Sequence, residues 1–172
     1  MRLVNKYNDY ELYEFESQSE LKEYVEVNQS ILINTKCVDK KKFYGISIKR
    51  KESTFIGIFG GVHGIEPSAL IGRMENCIFI SIDEKVYCVD LKDNAMRWVK
   101  EFDSIVYEVM KTSDVTFLVL CELGVVSLTF KGEKHWEHTS EVITDFELDS
   151  NILRLSTDEG DYSLLLNSGN VI

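Results

Sequence analysis

A chain of 172 residues, 44% hydrophobic and 28% charged, is long enough for one substantial core and is ordinary in composition for a soluble protein. The net charge of −10 argues against a nucleic-acid partner, and no apolar run approaches the roughly 20 residues that cross a bilayer. Met1-Arg2-Leu3-Val4-Asn5-Lys6 leads into no signal-peptide core, and one proline, Pro67, with no Pro-, Gly- or Ser-rich linker predicts a single cytoplasmic domain over residues 1–172.

The first 36 residues predict a strand–helix–strand element. Tyr10-Glu11-Leu12-Tyr13-Glu14-Phe15 alternates like a strand. Ser17 and Glu20 have capping-box spacing ahead of Leu21, Tyr24 and Val25, which share one helical face, so a helix is expected over residues 19–28 and a strand over 30–35. Such a helix lies over a sheet end or edge. Asp9, Glu11, Glu14, Glu16, Glu20, Glu23 and Glu26 face the single base Lys22 within residues 9–26, which predicts a negative field there. The next stretch is basic, with Lys36, Lys40, Lys41, Lys42, Lys49, Arg50 and Lys51. Lysines that guard strand edges explain it better than phosphate binding.

Gly57-Ile58-Phe59-Gly60-Gly61-Val62-His63-Gly64 is the nearest approach to a ligand loop, but it lacks the Gly-Lys-Ser/Thr ending that surrounds phosphate. A tight turn or bulged strand end accounts for it, with His63 and Glu66 as a candidate acid–base pair.

Residues 37–172 predict antiparallel β repeats. Three strand phrases recur, Val86-Tyr87-Cys88-Val89-Asp90-Leu91, Val125-Val126-Ser127-Leu128-Thr129-Phe130 and Tyr162-Ser163-Leu164-Leu165-Leu166, and a degenerate copy centres on Phe59. Trp98 and Trp136 follow the first two, 38 positions apart. Each phrase is preceded by an apolar run, Ile78-Phe79-Ile80-Ser81-Ile82, Thr116-Phe117-Leu118-Val119-Leu120 or Ile152-Leu153-Arg154-Leu155, and a short polar turn makes each pair a hairpin. Tyr87, Val89 and Leu91 share one face, as do Val126, Leu128 and Phe130, and Tyr162, Leu164 and Leu166. The opposite faces, with Cys88, Asp90, Ser127, Thr129 and Ser163, are expected to be mostly wet.

Over residues 76–172 this phrase resembles the repeat of PQQ-like, quinoprotein-type β-propellers, in which a Val-Tyr-x-Val-Asp-Leu-Lys strand precedes a docking tryptophan. The resemblance implies propeller-like blades and carries no quinone site. Thr129 stands where the first copy has Asp90, and Ile172 stands where a third tryptophan belongs. A closed propeller needs at least four blades of about 40 to 45 residues. The expected fold is therefore mainly β, an open or irregular antiparallel sheet stack of about three blade units.

Cys37, Cys77, Cys88 and Cys121 show no C-x-x-C spacing and read as reduced, buried thiols. His63, His135 and His138 are too few and too poorly spaced for a metal centre, and the acid pairs Asp83/Glu84 and Asp158/Glu159 fall in solvated turns. No catalytic motif, metal or cofactor is expected.

In size, acidity and lack of a catalytic set, the chain resembles small bacterial immunity proteins. That resemblance implies an inhibitor occluding a basic toxin protein such as a nuclease. The expected contact residues are Glu11, Glu14, Glu16, Glu20 and Glu23, with Tyr10 and Tyr13 as anchors or, equally, as core residues. A propeller-like interaction scaffold with a neutral aromatic groove is the alternative, and a small-ligand or sugar module at residues 57–66 is the third reading. The oligomeric state is open.

Overall fold

The computed structural model describes residues 1–36, 41–49, 54–72 and 76–172. Cys37, Lys40, Arg50 and Lys51 lie outside the described residues. The described strands form four sheets. The first has the order β1-β2-β4-β5-β3, from Arg2–Lys6, Tyr10–Phe15, Lys42–Ile48, Thr54–Gly60 and Ile31–Ile33. The second runs β6-β7-β8-β9 (Ser68–Gly72, Cys77–Ile82, Lys85–Asp90, Ala95–Glu101), and the third runs β10-β11-β12-β13 (Val106–Lys111, Thr116–Cys121, Gly124–Thr129, Lys134–Thr139). The fourth is β14-β15-β16 (Ile143–Asp149, Ile152–Thr157, Gly160–Leu165). The stack is the open, blade-like arrangement expected from the repeats.

Apolar layers hold the sheets face to face. Ile78, Ile80, Tyr87, Val89 and Leu91 of the second sheet pack against Leu12, Ile46, Ile56 and Ile58 of the first. The other face of the same hairpin, Cys77, Phe79, Val86 and Cys88, packs against Val109, Phe117, Val126, Leu128 and Phe130 of the third. Leu118, Leu120 and Val125 then meet Ile143, Leu153, Leu155 and Leu164 of the fourth. Each fully buried aliphatic or aromatic side chain contributes about 1.5–3 kcal/mol.

The expectation of one wet face per sheet is corrected for the second and third sheets. Cys88 is fully buried and Ser127 is 1% exposed. Each of these sheets lies between two others, so both faces are dry, and the small Cys and Ser side chains suit the close approach. The wet face survives on the fourth sheet, where Asp145, Glu147 and Arg154 are exposed.

Two devices repeat along the stack. The turn of each central hairpin offers two consecutive carbonyls to the chain leading into the next sheet. Asp83 O and Glu84 O accept from Val106 N–H and Phe102 N–H, both at 2.8 Å. Glu122 O and Leu123 O accept likewise from Ile143 N–H at 2.8 Å and Ser140 N–H at 3.1 Å. The tryptophans bridge the same junctions from the outer strands. Trp98 Nε1–H donates to Phe130 O at 3.3 Å, and Trp136 Nε1–H donates to Leu166 O at 2.8 Å. Under each indole lies a left-handed glycine, Gly132 at φ +84° and Gly169 at φ +72°, whose added Cβ would approach the ring to 3.1 and 2.6 Å.

The first sheet is the degenerate copy. Its central hairpin β4–β5 corresponds to β7–β8, but its outer strand β3 runs parallel to β5, and β1 is extra. The helix α1, Gln18–Val27, covers the sheet's far face with Leu21 and Val25 against Phe15, Phe55 and Phe59. Ser17 Oγ accepts the Glu20 N–H at 3.2 Å, as the capping spacing requires. A Cβ on Gly57 would stand 2.7 Å from Val25, so this glycine serves helix packing.

Removing an indole should cost both its packing and its hydrogen bond across the junction. Trp136→Ala is expected to destabilise by about 3 kcal/mol in urea unfolding. Gly169→Ala should also destabilise through its left-handed φ, whereas the exposed Lys131→Ala should be neutral.

Candidate interaction surface

The charged stretches of the first sheet answer one another. β2 lies between β1 and β4, with Arg2 opposite Glu14 and Lys6 opposite Glu11 in the β1 register. Glu11 pairs with Lys6 at 3.2 Å and Lys49 at 3.6 Å, and accepts the Tyr13 hydroxyl at 2.7 Å. Glu14 pairs with Arg2 and Lys42. Glu20 caps the backbone at Glu16 N–H and holds the Met1 ammonium. The Tyr13 hydrogen bond and then Lys6 hold the Glu11 carboxyl below its ordinary range, and Lys42 does the same for Glu14.

Of the residues expected to meet a partner, Tyr10 belongs to the core, 6% exposed and stacked on Tyr7 at 4.4 Å. Burial raises its hydroxyl far above the ordinary tyrosine value. Tyr13 is half-buried, and its hydroxyl is pushed up to about 12, first by its bond to Glu11. Glu16 and Glu23 are exposed. The predicted constellation is thus divided between core, internal ion pairs and surface.

The unbalanced acids lie at the other end of the stack. Residues 141–172 carry Glu141, Asp145, Glu147, Asp149, Asp158, Glu159 and Asp161 against one base, Arg154, a net −6 of the protein's −10. Strand alternation sends Leu153, Leu155 and Leu164 into the core and turns Asp145, Glu147, Asp149 and Arg154 outward. Arg154 sits 3.2 Å from Glu147 and 3.4 Å from Asp149, so most of the face stays anionic. β14 was not among the predicted strands, although the alternation of Asp145, Glu147 and Asp149 with apolar Phe146 and Leu148 was the available signal.

The glycine-rich stretch ends β5 and then crosses the β7–β8 turn. His63 Nε2 meets Glu84 Oε1 at 2.6 Å, so its carboxylate partner there is Glu84 where the sequence suggested Glu66. Asp83, expected in solvent, is 5% exposed in the left-handed region at φ +53°. Its Oδ1 accepts the Val62 N–H at 3.1 Å, while Oδ2 is buried with no hydrogen-bond partner among the described residues. Burial, with Glu84 adding, pushes this carboxyl above its ordinary range. The carboxylate fastens the loop after the first sheet to the second sheet. Asp158 and Glu159 are exposed, as turn residues were expected to be.

The remaining chemistry-bearing side chains are structural in setting. Cys77, Cys88 and Cys121 are buried, and burial pushes the Cys121 thiol up to about 12. The His138 ring lies 5.3 Å from Tyr162, and burial lowers its titration. Among the described residues, no three His, Cys, Asp or Glu side chains converge as a metal site. No helix of the described residues is long and apolar enough to cross a membrane.

No family model and no curated protein matches the chain. Solved structures do. BamB from Moraxella catarrhalis is 15% identical with a TM-score of 0.50, over 79% of this chain and 46% of that one. The computationally designed Ika8 protein is 13% identical with a TM-score of 0.52, over 76% and 45%. The β-propeller domain of Myceliophteria thermophila Cps50 (Swd1) is 11% identical with a TM-score of 0.51, over 63% and 36%. The chain spans less than half the length of these three. The likeness is one of fold, and it makes this chain a propeller-like stack of blades.

Asp83 yields a pH prediction whose sign is fixed by the raised titration. The folded protein penalises the ionised carboxyl, so the penalty is absent below the unfolded titration range and complete above the raised folded one. Asp83→Asn keeps an acceptor for Val62 N–H and tolerates positive φ. It should stabilise the protein by about 1 kcal/mol at neutral pH. Urea midpoints measured across pH should show the gain vanishing as the pH falls through the carboxylate range.

Proposed function

We propose that the protein is a non-catalytic protein-interaction scaffold whose partner meets the outward face of the fourth sheet. The observation that carries this reading is the concentration of unbalanced acids on a sheet face that no other described layer covers. The propeller-like fold supports it, since a rigid stack presents a fixed surface at its end. Individual exposed ion pairs contribute little. A field of this sign instead steers and orients a basic partner, with a reach of about 8–10 Å at ordinary salt. A basic toxin domain is one protein such a face would suit, so this reading keeps the charged footprint of the inhibitor and departs from the neutral aromatic groove expected of a scaffold. The inhibitor's original acids on β2 are less suited, because their charge is already answered by Arg2, Lys6, Lys42 and Lys49.

Affinity capture from a lysate of the source cells, at low and high salt, tests the assignment. Wild type should retain a basic protein that salt weakens. Combined Asp145→Lys, Glu147→Lys and Asp149→Lys should reduce capture at least about tenfold, whereas Glu16→Lys with Glu23→Lys should not. The opposite pattern would return the site to the first sheet, and a partner indifferent to both variants and to salt would sink the charged-face reading.

A further inference from the structure

The outer strands of the second and third sheets differ at one pair of positions. Val99 stands opposite Tyr87 and Met96 opposite Val89, just as Glu137 stands opposite Val126 and Lys134 opposite Leu128. Cross-strand partners share a face, so each outer pair looks toward the preceding sheet. In the third sheet that pair is an exposed ion pair, Lys134 with Glu137. In the second it is apolar, yet Met96 is 39% and Val99 53% exposed. They stay uncovered because β3, the outer strand facing them, has three residues against seven in β9 and brings no tryptophan over the junction.

The space beside β3 is a groove of about 370 Å³, with Leu32 and Lys36 on one wall and Lys85, Tyr87, Met96 and Val99 on the other. The strand register orders the second wall. Met96 comes first, then Val99 beside Tyr87, then Lys85 paired with Glu101 at 3.6 Å. Lys36 and Lys85 against Glu101 leave this lining with one positive charge in excess, on a chain whose net charge is −10. An exposed apolar stretch that runs into lysines is suited to holding a ligand, whereas the Lys134 and Glu137 pair at the same register keeps its strand solvated.

We propose that this groove, at the rim between the first and second sheets, docks an extended segment of a partner protein that carries two aliphatic side chains two positions apart with carboxylates at one end. Met96 and Val99 stand opposite Val89 and Tyr87, which are themselves two apart on β8. Side chains two apart in an extended segment share that spacing of about 7 Å, so the aliphatic pair covers Met96 and Val99 together. The carboxylates then meet Lys85 and Lys36, and the sign of the groove selects acidic over basic segments. This inference goes beyond the fourth-sheet assignment, since it uses another junction and the opposite sign of charge.

Fluorescence anisotropy of a labelled Leu-Ser-Leu-Ser-Asp-Asp peptide titrated with the whole protein tests the groove, with Leu-Ser-Leu-Ser-Lys-Lys as control. The acidic peptide should bind at least about tenfold more tightly than the basic one. Met96→Lys with Val99→Glu installs the pair that the third sheet carries at the same register, and should weaken binding at least about tenfold while leaving the urea midpoint unchanged. Lys36→Glu should weaken it about threefold. The combined Asp145→Lys, Glu147→Lys and Asp149→Lys variant should still bind the peptide, so the groove and the fourth-sheet face stand or fall separately. No anisotropy change with millimolar wild-type protein, equal binding of the two peptides, or binding that Met96→Lys with Val99→Glu retains overturns the proposal. So does a wild-type dimer in sedimentation that this double variant dissolves, because the groove would then hold a second copy of the chain.

Discussion

Everything in this molecule depends on sheets that are dry on both faces. An isolated hairpin with apolar residues on alternate positions has one surface to hide, but the β7–β8 and β11–β12 hairpins have two. Burying both requires a layer on either side, and that requirement propagates until a layer arrives that can end it. At one end the terminating layer is α1, which seals the first sheet with Leu21 and Val25. At the other end it is a change of sequence, where the outward positions that hold Leu70 and Phe79 in the second sheet are taken by Glu147 and Arg154 in the fourth.

Apolar burial is non-directional, so it stacks the sheets without setting their relative positions. Direction comes from the polar contacts repeated at each junction. Two carbonyls of each hairpin turn take the backbone of the next connection, and an indole N–H from each outer strand reaches the carbonyl of the following anchor, Phe130 or Leu166. The first junction lacks a tryptophan. There the Asp83 carboxylate and the buried Asn34, which donates to Phe59 O at 2.6 Å and accepts from Tyr87 at 2.9 Å, provide the direction.

The ends of the stack also explain the distribution of charge. On β2 the acids face bases on the two flanking strands, so a segment that is strongly acidic in isolation becomes nearly neutral in the sheet. The fourth sheet has one flanking strand on each side of β15 and a single arginine, so its carboxylates keep their field. The surface with unspent charge is therefore the outward face of the fourth sheet, at the end of the stack opposite α1.

Local pattern determined much of the architecture. The strand at Tyr10–Phe15 was readable from alternation, the helix start from Ser17 and Glu20, and the repeated hairpins from the recurrence ending in Leu91, Phe130 and Leu166. These signals reside in residues a few positions apart, where backbone geometry alone dictates the outcome. What lay beyond them required contacts between distant segments. Nothing near Cys88 or Ser127 announces that a second sheet will cover them, and nothing near Glu11 or Glu14 announces Lys49 or Lys42. Asp83 reads as a solvated turn acid until the loop carrying Val62 closes over it. Burial and charge compensation are properties of what arrives from elsewhere in the chain, so the strands were legible in the sequence, and the dry faces and the cancelled acids were decided by the tertiary structure.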